Sequence, residues 1–445
     1  MASGGFRSPP RSAVDQASDE LFERDTLMWE AVLYECTRCH LTTFPVRVRG
    51  NGFFQGTLAH NNDEIDDARI FDTTLRDGEQ TPRTSFDYDD KREIAALLDG
   101  MGVHVIEAGF PANSEAEFEA VRDVAEATDA TTCGLARVVE SDVEAAIDAD
   151  VDMVHVFAST SDIQIEDSMH ATREEVLDRS VAAVEQVADA GVEVMYSPMD
   201  VTRTDPDYLA EVLEAVDSAG LDWVNLPDTV GIATPSRFAD LVRYVREHTD
   251  ARVDVHCHDD FGMATANAVE GIVAGAEQAQ VSVNGIGERA GNAALEEVVM
   301  AIESLYGVDT GIDTTGIAEL SHVVAEKSGV PIPDNKPVVG KNAFSHESGI
   351  HAAGVIENAE TFEPGVMTPE MIGAERSIVL GKHTGTNAVR QHLEEAGYEP
   401  TDDEVVAVTK RVKEHAAGKR RVTTEDLHEF AADVGVERVS TEVRA

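Results

Sequence analysis

The chain has 445 residues, 42% of them hydrophobic, enough for a large barrel and one or two smaller domains. Asp and Glu total 85 against 35 Lys and Arg, a formal net charge of −50, which argues against nucleic acid or an anionic membrane surface as a general partner. No apolar run is long enough to cross a bilayer, and Met1–Arg24 holds Gly, Ser, Pro and charge where a signal peptide needs an apolar core, so a soluble cytoplasmic protein is expected.

Arg dominates the basic residues, with only 8 Lys among the 35. An acidic, Lys-poor chain fits adaptation to molar salt, where screening acts within about 3 Å, and a halophilic source is expected. The 4 cysteines make no disulfide framework in a chain of this length. Cys36-x-x-Cys39-His40 imitates a haem-attachment site, but that reading needs export and a zinc reading needs a second ligand pair, so chance occurrence is favoured.

Residues 1–66 read as a polar extension, partly disordered, with one short helical pattern from Leu21 to Val32. From residue 68 short β-branched runs alternate with amphipathic patterns. Strands are predicted at Ala68–Asp72, Val103–Ala108, Thr131–Arg137, Asp152–Phe157, Val192–Ser197, Asp222–Leu226, Arg252–His256 and Gln278–Asn284. Between them lie helices such as Asp89–Met101, with Ile94, Leu97, Leu98 and Met101 on one face, and Arg173–Ala188. Eight such units over 67–315 predict an α/β fold, a (β/α)₈ TIM barrel of about 250 residues. A doubly wound open sheet is disfavoured because no Gly-rich dinucleotide turn follows the first strand. Residues 316–395 read as a linker subdomain of loops rich in Gly, Pro and His. Residues 396–445 read as a helical C-terminal subdomain, with Thr401–Glu404 and Thr423–Asp426 as helix starts.

Barrel enzymes of this class work at the C-terminal ends of their strands. The first strand runs into Phe71-Asp72-Thr73-Thr74-Leu75-Arg76-Asp77-Gly78-Glu79-Gln80. There Arg76 and Asp77 are either a surface ion pair or a carboxylate for a hard cation beside a cation for an oxyanion. The sixth strand ends in Leu226-Pro227-Asp228-Thr229-Val230-Gly231, a turn presenting a hydroxyl and a carboxylate. The seventh ends in His256-Cys257-His258-Asp259-Asp260; residues two apart on a strand share a face, so both imidazoles can address one ion. Asp77 with these two His suits a catalytic divalent metal (Mg, Mn or Zn) with open positions. The eighth strand runs into Asn284-Gly285-Ile286-Gly287-Glu288-Arg289-Ala290-Gly291-Asn292, whose glycines permit either close approach to a ligand or simply a tight turn.

Together with Glu107-Ala108-Gly109-Phe110-Pro111 and Phe344–Gly354, these stretches resemble the 2-isopropylmalate, citramalate and homocitrate synthase family of metal-dependent barrel enzymes over roughly residues 67–395. The resemblance implies condensation of acetyl-CoA with a 2-oxo acid and release of CoA. It ranks 2-oxoisovalerate and leucine biosynthesis first, pyruvate (citramalate) second and 2-oxoglutarate (homocitrate) third. It implies Asp77, His256 and His258 as metal ligands with Asn292 as a fourth candidate. Arg76 would stabilise the alkoxide, with Glu107 also in the catalytic set. Thr229 and Arg137 would hold the substrate carboxylate, with Gln80 also binding substrate, and the Gly-rich loop would lie near the thioester. His351, in Ser348-Gly349-Ile350-His351, resembles a histidine lent by the partner of a homodimer.

The chain departs from the family pattern at two residues. Met199, in Tyr196-Ser197-Pro198-Met199-Asp200, stands where Glu is usual, so either Asp200 or another group substitutes or the pocket is re-tuned. Phe362 stands where Tyr is usual. The chain also ends at Ala445 without room for the regulatory domain of leucine-inhibited members, so that form of feedback is not expected. The competing readings are a lyase or carboxyl transferase of the same superfamily and a non-catalytic paralogue.

Overall fold

A computed structural model describes residues 65, 68–347, 366–418 and 422–438. The Cys36–Cys39–His40 motif, His351 and Phe362 lie outside the described residues. Eight parallel strands close into a barrel in sequence order: β1 (Arg69–Asp72), β2 (Val105–Gly109), β3 (Thr131–Arg137), β4 (Met153–Ser159), β5 (Glu193–Met199), β6 (Trp223–Asp228), β7 (Arg252–Cys257) and β8 (Gln278–Val281). Closure is made by β1 on β8, with Arg69 opposite Gln278 and Asp72 opposite Val281.

The strands form because both their faces are covered. Their outward side chains, such as Ile70, Ile106, Val154, Val194, Val224 and Val255, are buried against the helical ring in one continuous core. That ring includes α1 (Tyr88–Gly100), α2 (Glu115–Ala127), α3 (Glu140–Asp148), α4 (Arg173–Ala190), α5 (Pro206–Ser218), α6 (Pro235–Arg246), α7 (Ala264–Val273) and α8 (Leu295–Ala301). Inside the barrel a separate apolar floor is made by Phe71, Val105, Cys133, Met153, Met195 and Trp223. Above it the inward positions turn polar: Glu107, His155, Ser197, Asn225, Asp254 and Gln280, all buried. The barrel is thus a filled core with a polar upper layer beneath its mouth.

Several predicted strand ends shift. β4, β5 and β6 each continue two residues further, to Ser159, Met199 and Asp228, and β8 stops at Val281, because a 3₁₀ turn over Val283–Gly285 puts Asn284 at φ 61°. The Asn284 amide donates to Ser321 O at 2.8 Å, which holds the turn. The segment after residue 315 is not all loop. Helix α9 (Ile317–Ser328) packs Ile317, Leu320 and Val324 into the barrel core, and Gly329 ends it at φ 70°. Short parallel strands β9 (Ser345–His346) and β10 (Ser377–Ile378) pair with each other.

A second core collects Ala388, Val389 and Leu393 of α10 (Thr386–Glu395), Val405, Val408 and Val412 of α11 (Asp402–Ala417), and Leu427, Phe430 and Ala431 of α12 (Thr424–Val434). Residues 316–395 are therefore divided between the two cores. Thr401 with Glu404 and Thr423 with Asp426 form capping boxes at the starts of α11 and α12, as their spacing predicts. No helix among the described residues is long and apolar enough to cross a membrane.

Candidate active site and metal centre

The turn after β1 folds back over the barrel mouth. Thr73 N–H donates to Val281 O at 2.8 Å, and the Arg76 and Gly78 amides both donate to Thr73 O. Asp72 stiffens the turn from below, accepting from Thr74 N and Thr74 Oγ1 at 2.9 Å each. Burial pushes the Asp72 carboxyl up to about 7. Thr74 Oγ1 in turn accepts from Val283 N at 2.8 Å, tying this turn to the one after β8.

This geometry places Asp77 against the histidines of β7. Asp77 Oδ2 lies 3.9 Å from His256 Nε2, and Oδ1 lies 3.8 Å from His258 Nε2. All three side chains are buried, and their donor atoms lie within 4.8 Å of one another. The two imidazole rings stand edge-on, centroids 4.8 Å apart. Each presents its other nitrogen to the protein: His256 Nδ1 faces Gln280 Oε1 at 2.9 Å, and His258 Nδ1 faces Asp228 O at 3.4 Å. Burial, and then the neighbouring His258, hold the His256 imidazole down at about 3, so it is neutral and able to donate a lone pair. Burial opposes ionisation of Asp77, but Arg76 and the two histidines outweigh it and hold the carboxyl well below its usual range.

Asn292 completes the cluster. Its Nδ2 donates to Asp77 Oδ1 at 3.0 Å and to Ile286 O at 3.1 Å. Its Oδ1 is buried and finds no hydrogen-bond partner among the described residues. A buried orphan acceptor is rare and calls for an occupant. An ionised carboxylate, two imidazoles and an amide oxygen with no partner among the described residues form a donor set that fits a divalent cation with positions left for ligand. The Gly-rich loop permits this approach. A Cβ on Gly287 would lie 2.4 Å from Asn292 Nδ2 and 3.1 Å from Asp77 Oδ1, and one on Gly291, at φ 94°, would lie 1.9 Å from Gly285 O.

Arg76 sits beside the cluster, its side chain 12% exposed, donating through NH1 to Asp77 Oδ2 and through Nε to Glu107 Oε2, both at 2.6 Å. Glu107 has no exposed surface. It also accepts from Thr73 Oγ1 at 2.5 Å and contacts His155 Nδ1 at 2.7 Å. Burial works against its charge, yet Arg76, His155 and Thr73 bring its carboxyl down to about 2. Glu107 is thus a buried anion beneath Arg76, committed on both oxygens, so its geometry fits orienting Arg76 rather than meeting a substrate. Glu107, Cys133 and His155 also lie close enough together to suggest a second metal site. The fit fails there, because Glu107 is fully engaged and burial pushes the Cys133 thiol well above its usual range.

Three expected substrate-binding residues are not drawn into this cluster. Arg137, at the end of β3, is 58% exposed in its side chain, pairs with Asp142 at 2.5 Å and lies over the Phe110 ring. Thr229 Oγ1 accepts from Asp200 N at 2.8 Å, and Thr229 O accepts from Arg289, which bridges to Asp260. Gln80 is exposed. Met199 is half-buried at the end of β5, on the face that carries Met195 and Ser197. Asp200 cannot take over as a free carboxylate: it is fully buried, at φ 66°, and engaged by Ser161 and Arg203. The polar layer of Ser197, Asn225, Asp254 and Gln280 is not singled out by motif reading. The signal for it was a polar residue inside an otherwise apolar strand.

The HMGL-like family model matches residues 67–324, more than half of the chain. The chain belongs to the HMGL-like family. A second model, the homocitrate synthase post-HMGL domain-like family, matches residues 338–420. Three relatives from Methanopyrus kandleri span the names carried within this group. A probable 2-isopropylmalate synthase is 55% identical over 78% of this chain and 70% of its own length. A homocitrate synthase is 49% identical over 83% and 93%. A relative carrying the name of a citramalate synthase is 48% identical over 84% and 73%. Among solved structures, the HMG-CoA lyase of Bacillus subtilis superposes with a TM-score of 0.54 at 22% identity, over 60% of this chain and 96% of that one. At that identity the likeness speaks for the barrel fold alone.

Proposed function

We propose that this HMGL-like protein condenses the acetyl group of acetyl-CoA with 2-oxoisovalerate, releasing CoA and 2-isopropylmalate, the chemistry of leucine biosynthesis. The observation that carries the proposal is the buried Asp77–His256–His258 cluster, with Asn292 Oδ1, which has no partner among the described residues, and the Arg76 guanidinium beside it, in a chain 55% identical over 350 residues to a probable 2-isopropylmalate synthase. A divalent cation held by Asp77, His256 and His258, with Asn292 as fourth ligand, would supply Lewis acidity to the oxo acid's keto group.

The chain's own residues carry the rest. Arg76, fixed between Asp77 and Glu107, presents positive charge where the keto oxygen becomes an alkoxide. Thr229, next to Asp228 at the end of β6, is kept as the hydroxyl for the substrate carboxylate; Arg137, paired with Asp142, and the exposed Gln80 would have to turn towards the mouth to join it. A base takes a methyl proton from acetyl-CoA, the carbon pair so freed attacks the keto carbon, and the alkoxide takes up a proton. Water then cleaves the thioester, giving the new carboxylate and free CoA. His351, which would be lent by a second copy of the chain, is proposed as a further catalytic residue. A cavity of about 310 Å³ lined by Gly285–Gly287, Arg289, Pro331, Pro333 and Lys336 adjoins the glycine-rich loop, which supports acetyl-CoA there.

Met199 favours 2-oxoisovalerate over 2-oxoglutarate, since a thioether on the inward face of β5 suits a branched apolar tail better than a second carboxylate. The test is thiol release from acetyl-CoA with a panel of 2-oxo acids at high salt. The highest kcat/KM is expected with 2-oxoisovalerate. A higher value with pyruvate or 2-oxoglutarate would reassign the substrate, and no turnover with any of them by metal-replete protein would favour a non-catalytic role.

A further inference from the structure

Between the apolar floor and the metal cluster, buried polar side chains form a continuous chain across four strands. Ser197 Oγ donates to Asn225 Oδ1, Asn225 Nδ2 donates to Asp254 Oδ2, and Gln280 Nε2 donates to the same Asp254 oxygen, each at 2.7 Å. Asp254 has no exposed surface, and Gln280 is 1% exposed. Asp254 Oδ1 finds no hydrogen-bond partner among the described residues. Packing alone would not put a carboxylate here, because burying one is costly and an apolar residue would fill the space.

The consequence lies at the far end of the chain. An oxygen that receives two amide N–H groups fixes which end of each amide faces it. With Nε2 on Asp254, Gln280 turns its Oε1 to His256 Nδ1 at 2.9 Å. A carbonyl oxygen only accepts, so the proton of the neutral ring sits on Nδ1 and the lone pair on Nε2, the nitrogen that faces Asp77. Were the Gln280 amide reversed, its N–H would face Nδ1, and the ring would carry its proton on the nitrogen meant for the cation.

We propose that Asp254 and Gln280 are positioning residues, a buried carboxylate and amide acting in series to lock the His256 tautomer that can bind a metal ion. The proposal rests on the reading that Asp77, His256 and His258 hold a divalent cation. It requires acceptor character at position 280 and a donor–acceptor match with position 254, not these two side chains as such.

Two variants of the full chain test this. Gln280→Leu removes the acceptor. Asp254→Asn combined with Gln280→Glu swaps the partners, so that the new amide donates to the new carboxylate, which still accepts from His256 Nδ1. Imidazole ¹⁵N NMR of the metal-free protein should show His256 as the Nδ1–H tautomer in the wild type and the swapped pair, and a shift towards Nε2–H in Gln280→Leu. Calorimetric Mn²⁺ titration should give a Kd about 10–100-fold weaker for Gln280→Leu, and within about threefold of wild type for the swapped pair. Should Gln280→Leu fail to fold, the swapped pair decides alone. Wild-type tautomer and Mn²⁺ affinity in folded Gln280→Leu, or loss of both in a folded swapped pair, would overturn the proposal. If the wild type took up no Mn²⁺, the metal reading would fall, while the tautomer measurement would still decide whether the pair sets the ring.

Discussion

Asn292 gives its Nδ2 to Asp77 Oδ1 at 3.0 Å, and its buried Oδ1 has no hydrogen-bond partner among the described residues. That arrangement makes Asn292 both an anchor for Asp77 and a spare oxygen donor. Asn292→Ala should weaken Mn²⁺ binding about tenfold while leaving the fold intact, the usual effect of losing one supporting group at a metal site. Calorimetric titration checks this, and an unchanged Kd would remove Asn292 from the ligand set.

Glu107 makes a pH prediction. Its folded carboxyl lies at about 2 against an ordinary 4.5, so its stabilising contribution is present above about 4.5 and is lost as the pH falls towards 2. Glu107→Gln, which strands Arg76 in part, should cost about 3 kcal/mol at pH 7. Its deficit against wild type should shrink as the pH falls from 5 to 2. Denaturant unfolding across that range measures it. A deficit that stays constant would mean that the Glu107 charge does not stabilise the fold.

Most of the barrel can be read from the sequence. Its strands are buried on both faces, so they stand out as short β-branched runs separated by amphipathic helices. Asp77, His256 and His258 are legible for a related reason, since charged and imidazole groups at strand ends have little packing to do. Helix α9 is harder: Ile317, Leu320 and Val324 give only one apolar stripe, between Gly316 and Gly329. Asn225, Asp254 and Gln280 are isolated in sequence, and only closure of the barrel brings them into hydrogen-bonding range. Arg137 shows the limit of motif reading, because its guanidinium is drawn to Asp142 five residues on.

Met199 separates two accounts of the mouth. With Asp200 engaged by Ser161 and Arg203, the carboxylate next in the chain does not replace the usual Glu. If Met199 forms an apolar wall for the oxo-acid tail, Met199→Glu should lower kcat/KM on the best substrate, because it sets an anion in an apolar pocket beside a bound anion. Steady-state kinetics of both forms decide this. A turnover gain of about tenfold, roughly 1.4 kcal/mol of barrier, would mean that the missing carboxylate takes part in the chemistry.

If a second copy supplies His351, two inactive chains should rescue each other. Arg76→Ala and His351→Ala, each inactive alone, should regain up to about a quarter of wild-type activity when mixed, the fraction of sites in a randomly paired dimer that hold both intact residues. Thiol release after verified subunit exchange reads this, and mixed dimers without activity would place both residues in one chain's site.

The most direct test of the central claim, catalysis by a metal held at Asp77, His256 and His258, is CoA release during metal removal and return. Chelator-treated protein should lose about 100-fold or more in kcat, as expected when a metal's charge stabilisation of several kcal/mol is removed. Mn²⁺ or Zn²⁺ should restore the rate at one ion per chain in the wild type, but not in His258→Ala. Undiminished turnover by metal-free protein, or full restoration of His258→Ala, would contradict the account.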